Sequence, residues 1–383
     1  MGSGGIDLSR NAINGVLFVG FNQDQSCFAV GFTDGFKIFN CAPFKETISR
    51  KLDCGIRYIE MLFRCNILAL VGTQEDGKFP PNKVVIWDDQ RRKDIGELSF
   101  RHEVKAVRLR RDKVVVILEF KVLVYKFSDL TPVLEVDTVS NPKGICGLCP
   151  SPNNTVLACP ASHRGHVRLE LMEMHKTFNV QAHNSPLGCM SLTLDGSRLA
   201  TASERGTVIR VFDTLSGKQL QEVRRGASAA EISSLAFDHK CSLLSCSSVR
   251  GTVHVFTLAD APSVPTSSDS STDERAGAAQ QTNNCRSSLS FMGSMVTYFN
   301  SEWSFAKFRL PIGDGHTICS FASEKNSILV VTATGHLYMC EFKPEGPPGQ
   351  ECEATWNRSF LPEEVQSQSE IELQEGDLLP LDN

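Results

Sequence analysis

Gly206-Thr207-Val208-Ile209-Arg210-Val211-Phe212 and Gly251-Thr252-Val253-His254-Val255-Phe256 read as two copies of one strand. In each, a glycine opens a β-branched run that ends on an aromatic, the pattern of a strand entered from a tight turn. The same run recurs at Gly35-Phe36-Lys37-Ile38-Phe39, Lys83-Val84-Val85-Ile86-Trp87, Lys121-Val122-Leu123-Val124-Tyr125, Gly165-His166-Val167-Arg168-Leu169 and Gly335-His336-Leu337-Tyr338-Met339-Cys340. The seven runs end at residues 39, 87, 125, 169, 212, 256 and 340, so their spacings are 48, 38, 44, 43, 44 and 84. The first five spacings match the about 40–45 residues of one four-stranded propeller blade, and the last is a blade plus an insertion.

Each run follows an earlier strand of the type Arg198-Leu199-Ala200-Thr201-Ala202-Ser203 or Ser242-Leu243-Leu244-Ser245-Cys246-Ser247, and the two make a hairpin. No segment longer than about ten residues keeps a helical period. The reading is an all-β, seven-bladed β-propeller, WD-repeat-like, over residues 12–345, in which radial closure leaves few open strand edges. Only Trp87-Asp88 keeps the Trp-Asp ending of such repeats, with Phe212-Asp213 a near relative. Residues 1–11 read as a flexible N-terminus. Residues 259–297 read as a long disordered loop inserted in blade six, and 346–383 as an acidic disordered tail rich in Glu and Asp.

The inserted segment changes character along its length. Ala259 to Ser288 is rich in Ser, Thr, Asp, Gln and Asn, whereas Leu289, Phe291, Met292, Met295 and Val296 follow as an apolar cluster. A long loop that ends in exposed apolar side chains suits membrane insertion or partner binding.

The chain has 383 residues, 41% of them hydrophobic and 22% charged, with a net charge of −5. That balance excludes a general polyanion binder, and no nucleic-acid partner is expected. Lys105, Arg108, Arg110, Arg111 and Lys113 form a basic strand without aromatic interleaving, and a solvated strand face is the expectation there. No apolar run reaches the about 18 residues of a membrane span. The start lacks the pattern of a secretory signal. The 14 cysteines are scattered, and Cys27, Cys65, Cys159, Cys189, Cys319 and Cys340 sit in apolar runs as expected of buried, reduced thiols. Cys146-Gly147-Leu148-Cys149 has no second pair, so neither a metal nor another cofactor is expected. No nucleophile elbow, metalloprotease helix or phosphate loop occurs, which argues against an enzyme.

Local positive charge remains. Residues 198–225 carry Arg198, Arg205, Arg210, Lys218, Arg224 and Arg225 against Glu204, Asp213 and Glu222. In Val223-Arg224-Arg225-Gly226, two adjacent arginines in extended backbone point to opposite sides, so each can serve a different pocket beside a different repeat. Guanidinium is planar and permanently charged, and it binds phosphate bidentately.

Phe21-Asn22-Gln23-Asp24-Gln25-Ser26-Cys27-Phe28, Asn82-Lys83-Val84-Val85-Ile86-Trp87-Asp88, Ala200-Thr201-Ala202-Ser203, Val223-Arg224-Arg225-Gly226 and Ser301-Glu302-Trp303-Ser304 resemble the PROPPIN (WIPI) family, the phosphoinositide-binding propellers of autophagy. The resemblance implies one phosphoinositide site from His183, Ser203, Thr207 and Arg224, and a second from Arg225, His239, Ser248, Arg250, Thr252 and His254. It implies that phosphatidylinositol 3-phosphate and phosphatidylinositol 3,5-bisphosphate are the ligands, that Leu289 to Val296 insert into the membrane, and that the protein recruits the lipid-transfer protein of autophagy, with Asn22 and Asp24 as candidate contacts. A cytoplasmic monomer, recruited peripherally to preautophagosomal, endosomal or vacuolar membranes, is the expected setting. The family's loop carries Lys and Arg near its apolar end, whereas Gly293-Ser294-Met295-Val296-Thr297 has none. The rival reading is a protein-interaction propeller whose arginines grip an acidic peptide.

Overall fold

A computed structural model of the chain describes residues 5–10, 12–75, 77–259, 284–286, 301–310, 316–324 and 326–361. The seven runs become the third strands of seven antiparallel sheets: Gly35–Asn40, Lys83–Asp88, Lys121–Lys126, His166–Leu171, Val208–Asp213, Thr252–Thr257 and His336–Glu341. The innermost strands, among them Val16–Phe21, Ile56–Met61, Leu187–Leu192, Ile232–Phe237 and Thr317–Phe321, pack side by side around one axis. The structure is the seven-bladed all-β propeller that the spacing predicts.

Strand chemistry explains the packing. In Thr252–Thr257 the β-branched Val253 and Val255 are wholly buried, while Thr252 and His254 on the opposite face stay half-buried. Such alternation leaves one sheet face for the neighbouring blade and one for a polar groove. The turn glycines matter where space is tightest. Gly206 has a φ of +57°, and a Cβ there would lie 1.9 Å from the Ala230 carbonyl oxygen.

Ring closure extends beyond the predicted boundaries. The outer strand of blade seven is Glu353–Ser359, paired with His336–Glu341, so the propeller does not end at residue 345. Phe360 follows it and packs against Phe28 and Phe39 of blade one, with ring centroids 5.4 and 5.7 Å away. At the other terminus, Ile6–Asp7 pairs with the innermost strand of blade one and Leu8 is buried, so residues 6–8 belong to the propeller as well. The tail beyond Leu361 lies outside the described residues, as does most of the 259–297 segment.

The turn that joins the first two strands of blade one is a hub. Gln23 donates to the carbonyls of Met61 and Leu109 in blades two and three, and its own oxygen accepts from Phe63 N–H. Gln25 donates to the Phe237 carbonyl at 3.3 Å and accepts from Phe321 N–H at 2.9 Å, which ties blade one to blades six and seven. Both glutamines are buried. Two side chains therefore satisfy backbone groups in four other blades.

Two sequence expectations are corrected here. Arg108 and Arg110 are buried, not solvated. Arg108 donates to the Cys146 carbonyl and to Tyr58, with Glu60 3.8 Å away, and Arg110 bonds Thr155 and the Pro152 carbonyl. These acceptors come from neighbouring blades, so a local charge count could not reveal them. Cys65 is exposed, unlike the five other thiols named above. Among the described residues no helix is long and apolar enough to cross a membrane.

Candidate functional site

The outer strand of blade five, Gln219–Arg224, runs antiparallel to Val208–Asp213, with Arg224 opposite Val208 and Glu222 opposite Arg210. Residues paired in this way share a sheet face. Arg224 therefore stands on one face with Arg210 and Glu222, and Arg210 pairs with Glu222 at 2.8 Å. On the second strand, Thr201 lies opposite Arg210. It shares a 3.0 Å hydrogen bond with Nε2 of His183, which arrives from the connection between blades four and five. Burial, and then the charge of Arg210, lower the His183 pKa to about 4, so the ring is neutral at pH 7. Ser203 and His183 are buried, and Thr207 and Arg224 are half-buried. Arg224 donates from Nε to Ser301 Oγ at 2.8 Å.

Arg225 turns the other way. Its backbone N–H donates to the Thr207 carbonyl, its Nε to the Gly206 carbonyl at 2.9 Å, and its Nη2 to the Ser228 carbonyl at 2.6 Å. The side chain is buried, and among the described residues no carboxylate pairs with it. Burial pulls its pKa below the usual arginine range, the Cys246 thiol opposes this, and Arg250 adds to it. A buried cation held by carbonyls keeps an uncompensated charge, which favours an anion nearby.

Arg225 also acts on His254, whose pKa falls to about 4 through burial first and then through Arg225, Lys307 and Arg309. His254 shares a 3.0 Å bond between Nδ1 and Ser304 Oγ. Arg250 is exposed at the turn between the second and third strands, and Thr252 is half-buried just beyond it. Ser248 is wholly buried, and among the described residues its hydroxyl has no hydrogen-bond partner.

Three of the predicted residues are placed differently from expectation. His239 sits in the turn after Ile232–Phe237, whereas Ser248 pairs with Ile232 at the strand's other end. At about 3.3 Å per residue the two ends lie roughly 17 Å apart, so His239 cannot share a ligand with Arg225. Asn22, predicted as a partner contact, is buried, donates to the Phe63 carbonyl and Ser26, and accepts from Cys27 N–H. It shapes a turn. Ser248 has no open surface. Asp24 is half-buried and lines an open cavity of about 600 Å³ with Phe63, Arg111, Pro152 and Leu194. Leu289, Phe291, Met292, Met295 and Val296 lie outside the described residues.

Sequence reasoning missed what flanks the sites. Cys285–Arg286 and Glu302–Trp303 extend the sheet of blade five, the latter pairing parallel to Gln219–Arg224. Gln221 donates to the Thr257 carbonyl and to Glu302, and Asn284 donates to the same two groups, so both ends of the inserted segment are clasped against blade five. In blade six, Lys307 and Arg309 stand opposite His254 and Thr252. The alternation Lys307-Phe308-Arg309 in a short strand was the signal available for these two.

Comparison with known proteins converges on one group. The PROPPIN family model matches residues 16–361. Autophagy-related protein 18e of Arabidopsis thaliana is 39% identical over 332 residues, covering 85% of this chain and 83% of the relative. Autophagy-related protein 18 of Yarrowia lipolytica is 32% identical over 389 residues, covering 90% and 96%. The solved structure of Kluyveromyces lactis Hsv2 with a complete loop 6CD superposes with a TM-score of 0.71 at 23% identity, covering 90% of this chain and 98% of that one.

Proposed function

The chain belongs to the PROPPIN family, and from that footing we propose that it docks on membranes bearing phosphatidylinositol 3-phosphate or phosphatidylinositol 3,5-bisphosphate and recruits autophagy proteins there as a scaffold. The observation that carries the reading is the divergence of Arg224 and Arg225 onto opposite faces of blade five, each among hydroxyl and imidazole groups. Arg224 with Thr207, over His183 and Ser203, is one headgroup site. Arg225 with Arg250, Thr252 and His254, over Ser248, is the other.

Arginine supplies charge-assisted bonds to phosphate oxygens, and hydroxyls donate to the same atoms. Each site offers one headgroup only a few polar side chains, so a single headgroup is held weakly. Two sites on one rigid ring raise the effective concentration of each for the next, which supports an avidity gain of about 10²–10⁴. The apolar residues Leu289, Phe291, Met292, Met295 and Val296 then act as a wedge that buries beside the headgroups. Asp24, in the wall of its open cavity, serves a protein partner such as the lipid-transfer protein of autophagy.

Liposome sedimentation tests the reading. The Arg224→Thr/Arg225→Thr variant should lose binding to phosphoinositide vesicles while circular dichroism shows the same strand content. Phe291→Ser/Met292→Ser/Met295→Ser should weaken vesicle binding and leave soluble headgroup binding intact. Full vesicle binding by the double arginine variant, or binding of acidic peptides in place of any vesicle, would overturn it.

A further inference from the structure

The two faces that flank Arg224 and Arg225 differ in charge, and the difference is written in the strand register. In blade five, Val208 pairs with Arg224 and Arg210 pairs with Glu222. Arg210 and Glu222 neutralise each other at 2.8 Å. In blade six the corresponding pairs are Thr252 with Arg309 and His254 with Lys307. Arg309 thus occupies the register position of Arg224, and a lysine replaces the acid.

Cross-strand neighbours share a face, so Lys307 and Arg309 stand on the face that carries Thr252 and His254. With Arg225 they place three cations around His254, Arg250 acts on Arg225 in turn, and Glu351 meets Lys307 and Arg309. Glu351 lies on Gln350–Glu351, a short segment running parallel to Ala306–Arg309. It sits 3.0 Å from Lys307 and 4.0 Å from Arg309, with its side chain 65% exposed. An ion pair this open to water is weak and readily exchanged for a better anion. A phosphate offers more oxygens and more charge than a carboxylate.

We propose that Lys307 and Arg309 form a second phosphate subsite beside Arg225 and Arg250, so that the blade-six site takes an inositol headgroup carrying two ring phosphates, whereas the Arg224 site takes one. The inference rests on the phosphoinositide reading above and assigns a different headgroup class to each side. Glu351 holds the subsite closed until the second phosphate displaces it.

The test uses the full-length chain and phosphatidylcholine vesicles holding phosphatidylinositol 3-phosphate, phosphatidylinositol 3,5-bisphosphate, or phosphatidylserine matched in charge. Soluble inositol 1,3-bisphosphate and inositol 1,3,5-trisphosphate, run in parallel, separate headgroup recognition from the membrane surface. Wild type should favour the doubly phosphorylated headgroup in both formats. Lys307→Gln/Arg309→Gln should lower affinity for it about tenfold while sparing the singly phosphorylated one, as loss of charge-assisted bonds at one subsite requires. Glu351→Gln should move the ratio the opposite way, a readout that stands even if the double variant folds poorly. An unchanged ratio in both variants, with binding to both lipids retained, overturns the subsite alone. Wild-type binding no better than to phosphatidylserine vesicles overturns the subsite and the phosphoinositide reading together.

Discussion

Arg225→Thr and Arg224→Thr should separate stability from binding, because the two arginines are anchored differently. Arg225 is buried and donates to the carbonyls of Gly206 and Ser228 at 2.9 and 2.6 Å. Ser228 is exposed, so water replaces the lost donor there, whereas Gly206 is buried and its carbonyl is left short. An unsatisfied buried acceptor costs about 1–3 kcal/mol. Removing a buried cation that has no carboxylate partner returns part of its desolvation, which leaves a net loss of about 1–2 kcal/mol. For a chain of this size that is a fall in Tm of roughly 1–3 °C. Arg224→Thr, at a half-buried position, should stay within about 1 kcal/mol of wild type. In binding the two should look alike, since loss of one charge-assisted phosphate contact costs about 1.5–3 kcal/mol, or roughly 10–150-fold at its own site. Differential scanning fluorimetry and titration with soluble headgroup read the two quantities. An Arg225→Thr protein as stable as wild type would refute the anchoring argument, and undiminished headgroup binding by either variant would refute the role of that arginine.

The hub in blade one gives a second expectation. Gln25→Ala should strand the buried Phe321 N–H and Phe237 carbonyl and cost about 2–5 kcal/mol in urea denaturation, and an unchanged midpoint would show that blade one does not fasten the ring there. A third concerns pH. The folded-state pKa of His183 is about 4, below its ordinary 6.5. The unfolded chain therefore gains the proton first, and the stability His183 lends above pH 6.5 is lost as pH falls towards 4. The difference in stability between wild type and His183→Gln should shift against wild type by up to about 3 kcal/mol between pH 7 and pH 4, and parallel stability curves would rule this out.

The blade period was legible because each third strand must bury one β-branched face, and that constraint leaves a repeated pattern. The outer strand of blade seven was hidden for the opposite reason. Glu353–Ser359 is exposed along most of its length, so nothing forces alternation, and its acidic start resembles a solvated tail. Trp356 and Thr355 were the residues that could have marked it as a strand. The same logic misread Arg108 and Arg110, whose acceptors lie 38 to 50 residues away. In the candidate site, the divergence of Arg224 and Arg225 followed from extended backbone alone. His239 failed on local grounds: the hairpin Ile232–Phe237 to Leu243–Ser248 puts it in the far turn, which the strand boundaries could have revealed. Lys307 and Arg309 were missed because the long insertion separates them from the repeat they complete.

Binding stoichiometry tests the central claim most directly. Isothermal titration with soluble inositol 1,3-bisphosphate should give two headgroups per chain for wild type, one for Arg224→Thr, one for Arg225→Thr and none for the double variant. A single headgroup per chain in wild type, or two retained by either single variant, would contradict the assignment of one arginine to each site.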